Sequence, residues 1–222
     1  MPARTPLAAA LLLVAGLTGC ASSPGTVPPS GVDQLVVPTP TPDPGDFVDV
    51  VDNPWFPLEP GSRQRWTIDG EPEGGLRVEV LAGPRTAGVA TTAVRTTATL
   101  DPAGGEGWSA DLGTDYYGQD RDGNVWWFGH EGEWRAGVDG AEAGLVVPAR
   151  PRTGDGYRMA FLAGVVEDRA EVLAAGADLL EIERIPEDGA RSVTHYERGL
   201  GPVRVETSDG VAERISDDPV SR

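Results

Sequence analysis

Lysine is absent from this sequence: all 18 basic residues are arginine, set against 35 Asp and Glu for a formal net charge of −17. Without an ammonium side chain there is no P-loop lysine to hold phosphates and no Schiff-base or pyridoxal-type nucleophile. The acidic excess argues against nucleic-acid binding, which needs clustered cations to displace phosphate counterions. It reads first as a device for solubility.

Cysteine is nearly absent too. Cys20 is the only one, so no disulfide forms within one chain and no cysteine zinc cluster is available. The two histidines, His130 and His195, could serve a metal only with carboxylates as the other ligands. No Gly-x-Ser-x-Gly elbow and no His-Glu-x-x-His string is present. Ser109, His130 and Asp115 fall in one region, but no spacing rule joins them. Any two of the 35 carboxylates could be named as a glycosidase couple, so their number diagnoses nothing. The sequence leans away from an enzyme and implies no cofactor. No repeat of solenoid or propeller length is visible.

Long apolar runs are missing as well. The run from Leu7 to Leu17 holds eleven residues, short of the roughly 20 that cross a bilayer. It follows Arg4 and ends in small residues, the pattern of a secretory signal peptide over residues 1–19. Its end, Leu17-Thr18-Gly19-Cys20, resembles the lipobox of bacterial lipoproteins, in which cleavage before the cysteine frees its thiol to carry diacylglycerol. The resemblance implies a lipid-anchored protein on the extracytoplasmic face of the cell membrane, with Cys20 as the attachment site. Two or more acyl chains give stable anchoring where one does not. Removing Arg4 with the leader takes the charge from −17 to −18, so the surface is repelled by anionic lipid and the anchor does the holding.

What the sequence does contain begins with residues 20–45, a linker with seven prolines, three glycines and six serines or threonines after the cysteine. Such a segment buries too little apolar surface to offset its ordering entropy and is expected to be an extended, polyproline-like stalk. From residue 46 to 222 the texture changes to short runs rich in Val, Thr, Trp and Tyr, interrupted every eight to twelve residues by Gly, Pro, Asp or Asn. That rhythm predicts a single all-β domain, mostly antiparallel. Arg65–Ile68, Leu76–Leu81 and Ser192–Tyr196 alternate with period two, and residues 201–216 read as a hairpin turned at Asp209-Gly210. Residues 159–176 leave helix and strand both open: Leu162, Val166, Ala170 and Leu173 follow a helical stripe, while Val165-Val166 and the glycines weaken it. In "NPWFPLEPG", three prolines forbid helix and inner ladder, so the segment is expected to lay Trp55, Phe56 and Leu58 over the core as a lid.

Residues 120–129, "DRDGNVWWFG", admit three readings. Asp120, Asp122, Asn124 and Glu131 take the spacing of a calcium loop, but Val125 stands where its sharp turn needs glycine. A propeller blade needs several similar copies. A hairpin with a two-residue type I′ turn at Asp122-Gly123 suits the residues best. It sets Gly118 opposite Trp127, gives Tyr117, Gln119, Trp126 and Phe128 one face and Tyr116, Gly118, Asp120 and Trp127 the other, and points Asp120 and Asn124 apart. Ten of the fourteen aromatics, including all six tryptophans, lie between Trp55 and Trp134. Either the protein's own chain covers both aromatic faces, or Tyr116, Tyr117, Trp126, Trp127 and Trp134 form a groove for a glycan or a lipid chain.

"VDNPWFPLEPGSRQRW", "YYGQDRDGNVWWFG", "EGEWRAGVDGAEAGLVVPARPRTGDGY" and "HYERGLGPVRVE" together resemble a group of secreted or lipid-anchored bacterial proteins of unknown function. The likeness runs over most of residues 51–206. It implies a curved antiparallel sheet, a half-barrel or small barrel, with residues 157–173 as strand, and it brings no activity or catalytic residue. The expectation is a monomeric, lipid-anchored binding or interaction module whose partner is a cell-wall glycan, a lipid or another protein. The alternatives are a lipid carrier with an apolar half-barrel cavity, and an undetected hydrolase.

Overall fold

The computed structural model describes residues 43–70, 73–101 and 107–218. The expected signal peptide over residues 1–19, Cys20 and the expected linker as far as residue 42 lie outside them. After a 3-10 turn at Pro44–Asp46 every regular element among the described residues is a strand. The strands are β1 Phe47–Val48, β2 Arg63–Gly70, β3 Glu73–Thr86, β4 Val89–Asp101, β5 Trp108–Asp120, β6 Val125–His130, β7 Trp134–Arg135 and β8 Glu142–Val147. They continue as β9 Gly156–Arg158, β10 Ala160–Phe161, β11 Arg169–Ala175, β12 Leu179–Ile185, β13 Ser192–Glu197, β14 Gly201–Thr207 and β15 Gly210–Asp218. The fold is the expected all-β, antiparallel, barrel-like sheet.

Neighbours in the sheet run β10-β8-β6-β5-β4-β3-β2-β15-β14-β13-β12-β11-β9, with β1 on β5 and β7 on β6. Both ends of that path belong to one bent segment. Its first half, β9, pairs with β11; its second half, β10, pairs with β8. Residues 156–161 thereby tie the two edges of the sheet and nearly close it. The tie is tight at Gly144, where a Cβ would stand 2.3 Å from the carbonyl carbon of Met159. Only a residue with no side chain lets the two backbones cross there. Curvature comes from register shifts within the ladders, as at Arg95/Thr97, Tyr116/Tyr117, Val125/Trp126 and His195/Tyr196. Bulges of this kind bend a strand and raise its twist.

Strand faces follow the alternation in the sequence. In β2 Gln64 and Trp66 are buried while Arg63, Arg65 and Thr67 are exposed. Residues 159–176 form no helix: β10 and β11 are strands, and Leu162 and Val166, four apart like a helix stripe, face each other across a turn instead. Leu173, the member of the stripe with odd spacing, is 39% exposed. The chain turns at 163–165 between an isolated bridge, Leu162 to Val166, and enters β11.

Two turns differ from expectation. The β14–β15 hairpin turns at Ser208-Asp209, with Thr207 opposite Gly210. Moving a two-residue turn by one position shifts the register by two, so every side chain keeps its face. The β5–β6 hairpin has three loop residues instead of two: the Asp120 N–H donates to the Asn124 carbonyl, the Asp120 carbonyl accepts from the Gly123 N–H, and Gln119 pairs with Val125. Gly123 takes the left-handed position at φ +92, as three-residue hairpins require. This one-residue change swaps the tryptophans between faces. Tyr117, Gln119, Val125 and Trp127 share the inner face, and Tyr116, Gly118, Trp126 and Phe128 share the outer one. Gly118 stands opposite Trp126, not Trp127.

Both faces are covered by the protein itself. Inside, Trp127 packs with Val51, Trp55, Phe56, Leu58 and Trp134 in the main core. Outside, Tyr116 and Phe128 form a second cluster with Val89, Ala93, Ala136 and Ala143, joined by Phe47 and Trp126. The proline segment does lie over the core: Trp55, Phe56 and Leu58 are 2, 8 and 5% exposed. It is fastened to the hairpin by polar side chains. Gln119 Oε1 accepts from the backbone N–H of Asp52 at 2.9 Å and of Asn53 at 2.7 Å. Asn53 donates from Nδ2 to the Gly123 carbonyl at 2.7 Å and accepts the Trp55 N–H at 2.7 Å. The motifs "DNPWFP" and "GQDRDGN" are thus two halves of one contact.

Candidate functional site

A cavity of about 600 Å³ lies inside the barrel between β2, β3, β4, β13, β14 and β15. Its floor is the proline segment and its neighbours: Phe56, Leu58, Tyr117 and Tyr196. Phe56 meets Tyr117 edge-on at 5.1 Å between ring centroids and Tyr196 at 6.3 Å. The walls are the inward residues of successive strands, Trp66, Val78, Val94 and Val205, and the upper wall is Ile68, Leu76, Leu100 and Ala212. Register explains the layering: Ile68 stands opposite Ala212, and Trp66 opposite Leu76. Several of these apolar side chains, including Ile68, Leu76, Val78, Val94 and Val205, are only half-buried. They face the lumen without filling it.

The polar residues of the lining are few: Gln64, three threonines, Asp115, Asp209 and the two tyrosines. Burial pushes the Tyr117 and Tyr196 phenols up, Tyr117 further because Asp115 is near, while a hydrogen bond with Thr194 draws Tyr196 partly back. Both stay neutral at any physiological pH, so the floor carries no charge.

A second concavity, about 590 Å³, adjoins the first, and Asp115 lines both. Asp115 Oδ1 accepts from Trp127 Nε1 at 3.0 Å and meets His130 Nδ1 at 2.9 Å. The hydrogen bond to Asp115 raises the His130 pKa above its ordinary value; burial opposes it, and the charges of Asp115, Glu133 and Glu131 add to it. Gly113, at φ +94, lies against the imidazole, and a Cβ there would stand 2.3 Å from Nε2. Across the cleft Arg184 Nε donates to the buried Asp168 at 2.6 Å, and its guanidinium lies 5.4 Å over the Trp127 ring. Trp134 meets Trp127 edge-on at 5.0 Å.

The five aromatic candidates therefore separate. Tyr117 lines the apolar cavity, while Trp127 and Trp134 form a wall of the cleft with most of their surface in the core. Tyr116 and Trp126 lie on the outer face, Tyr116 under the Arg135 guanidinium at 5.1 Å and Trp126 edge-on to Phe47 at 6.2 Å. Contrary to the two-residue turn, Asp120 and Asn124 lie side by side. Asp120 accepts from the Asn124 backbone at 2.9 Å, from Asn124 Nδ2 at 2.8 Å and from Trp126 Nε1 at 2.8 Å. Its carboxylate serves the turn, and among the described residues no group of three or more metal-ligating side chains forms. Asp122 and Glu131 sit in different turns, on either side of β6.

Of Ser109, His130 and Asp115, the structure joins the last two. Ser109 Oγ donates to the Ala98 carbonyl at 3.1 Å, near the start of β5, and has no part in the pair. Sequence reasoning missed Trp66, Leu76, Val78 and Val94 as lining residues. Their alternation was visible, but alternation marks an inward face without saying whether that face meets another or a lumen. Compared with known proteins, the chain matches no protein-family model, no curated protein and no solved structure.

Proposed function

We propose that this is a lipid-anchored extracytoplasmic protein that binds the apolar chain of a ligand inside its barrel. The observation that carries the reading is the cavity of about 600 Å³, lined mainly by apolar side chains and bounded below by uncharged aromatic rings. Cavities of roughly 300–1,000 Å³ with apolar walls and a few polar groups are the usual setting for small-molecule ligands. A folded interior normally packs to crystal-like density, so half-buried valines and leucines around an open lumen are a cost to stability that ligand binding offsets. The anchoring half of the reading is supported by the Leu17-Thr18-Gly19-Cys20 string and the proline-rich linker that follows it.

Binding of the neutral fluorophore N-phenyl-1-naphthylamine tests the reading, with Trp66 as an internal reporter in the wall. The wild-type protein should enhance the probe's fluorescence saturably. Val78→Trp, which fills the lumen, should weaken binding at least tenfold, with far-UV circular dichroism unchanged. Equal affinity in that variant would count decisively against the cavity as the site.

A further inference from the structure

We infer that the ligand is an amphiphile whose apolar chain fills the barrel cavity and whose head, carrying no negative charge, lies in the adjoining cleft; this rests on the cavity reading above.

The two concavities are of nearly equal volume, about 600 and 590 Å³, and share Asp115 as a wall. Their linings are opposite in character. The first is apolar; the second is walled by Asp115, Glu133, Glu167, Asp168, Glu187 and Asp188, with Trp127 and Trp134 behind them. A molecule reaching from one into the other must be apolar at one end and polar at the other. Register sets both at the same end of the barrel. Arg184 lies opposite Ser192, and Ser192 opposite Thr207 beside the β14–β15 turn, which borders the cavity.

The sign of the head follows from the cations. Among the described residues no basic side chain lines the apolar cavity. The basic residues among those described that line the cleft are Arg184 and His130, and each is already held by a carboxylate, Asp168 at 2.6 Å and Asp115 at 2.9 Å. An anionic head would lose its hydration without gaining a partner, beside carboxylates that repel it. A hydroxyl or amine head finds acceptors throughout the cleft. Fatty acids and phosphate-bearing lipids are therefore disfavoured, and long-chain alcohols, amines and uncharged glycosyl lipids are accepted.

The test holds the chain constant and varies the head. Dodecylamine, dodecanol and dodecanoate, each below its aggregation threshold, compete with N-phenyl-1-naphthylamine for the purified full-length protein. The amine and the alcohol should displace the probe at concentrations at least tenfold below the carboxylate. In a variant carrying Glu133→Gln, Glu167→Gln, Glu187→Gln and Asp188→Asn that difference should shrink, and raised salt should shrink it in the wild type. Equal displacement by all three compounds would overturn the head-group inference and leave the cavity reading standing. A probe that binds nowhere in the barrel would overturn both.

Discussion

At the scale of single residues, the site turns on Asp115. Its one carboxylate orients the Trp127 indole, holds His130 and borders both concavities. Because the folded His130 pKa lies above the unfolded value of about 6.5, the pair's contribution to stability is fully present below about pH 6.5 and is lost as pH rises through the folded pKa. A histidine titration by NMR should give a His130 midpoint above the ordinary one, and Asp115→Asn should bring it down and flatten the pH dependence of stability in that window. An unchanged midpoint in Asp115→Asn would mean that the ion pair does not govern His130. Asp120 teaches the complementary lesson. Its spacing with Asp122 and Asn124 suggested a metal loop, yet its oxygens accept two N–H groups of Asn124 and the Trp126 indole. Turn chemistry and calcium chemistry use the same residue types, so spacing alone leaves both open.

At the scale of elements, closure depends on the bent strand 156–161 crossing β8. Gly144 is the position that allows it, with the Met159 backbone where its side chain would be. Gly144→Val should force β8 and β10 apart and destabilise the fold by about 1–3 kcal/mol, the usual range of core overpacking. Urea unfolding measures this, and a loss below about 0.5 kcal/mol, within the noise of surface changes, would show that the crossing has slack. The element types were legible from period-two alternation and from Gly, Pro, Asp and Asn breaks. Registers were less so. The β14–β15 turn moved by one residue and kept its faces; the β5–β6 loop gained one residue and exchanged Trp126 with Trp127. Hairpin loop length is decided by a whole set of contacts, here Asn53 on the Gly123 carbonyl, Asn124 on the Ala149 N–H and Asp120 on Trp126. The Asp120–Trp126 bond is local, but Asn53 and Ala149 come from residues far along the chain, which local pattern does not register.

At the scale of the molecule, the chain enters the barrel at one end and the site opens at the other. Phe47 pairs with Asp120, at the opposite end of β5 from Trp108, which pairs with Leu100. The strand β4 from Val89 to Leu100 spans roughly 35 Å at about 3.3 Å per residue. Cys20→Ser should move the protein from the membrane fraction to the soluble one without altering probe affinity, as read by fractionation and fluorescence titration. A variant still wholly membrane-bound would sink the anchoring proposal.

The sequence by itself determined the all-β class, the antiparallel strands, the proline segment as a cover for the core and the exclusion of lysine and disulfide chemistry. Each of these depends on residue type or short-range period, and both act locally. Tertiary structure alone decided that β2, β3, β4, β14 and β15 face an open lumen and not a second layer. It also decided that Trp127 points inward, and that Asp115, His130, Asp168 and Arg184 converge at one end. Those outcomes depend on bulges, loop lengths and the crossing at Gly144, which set how far the sheet curls before its edges meet. A cavity is the volume that curling leaves unfilled, and no single strand's alternation contains it.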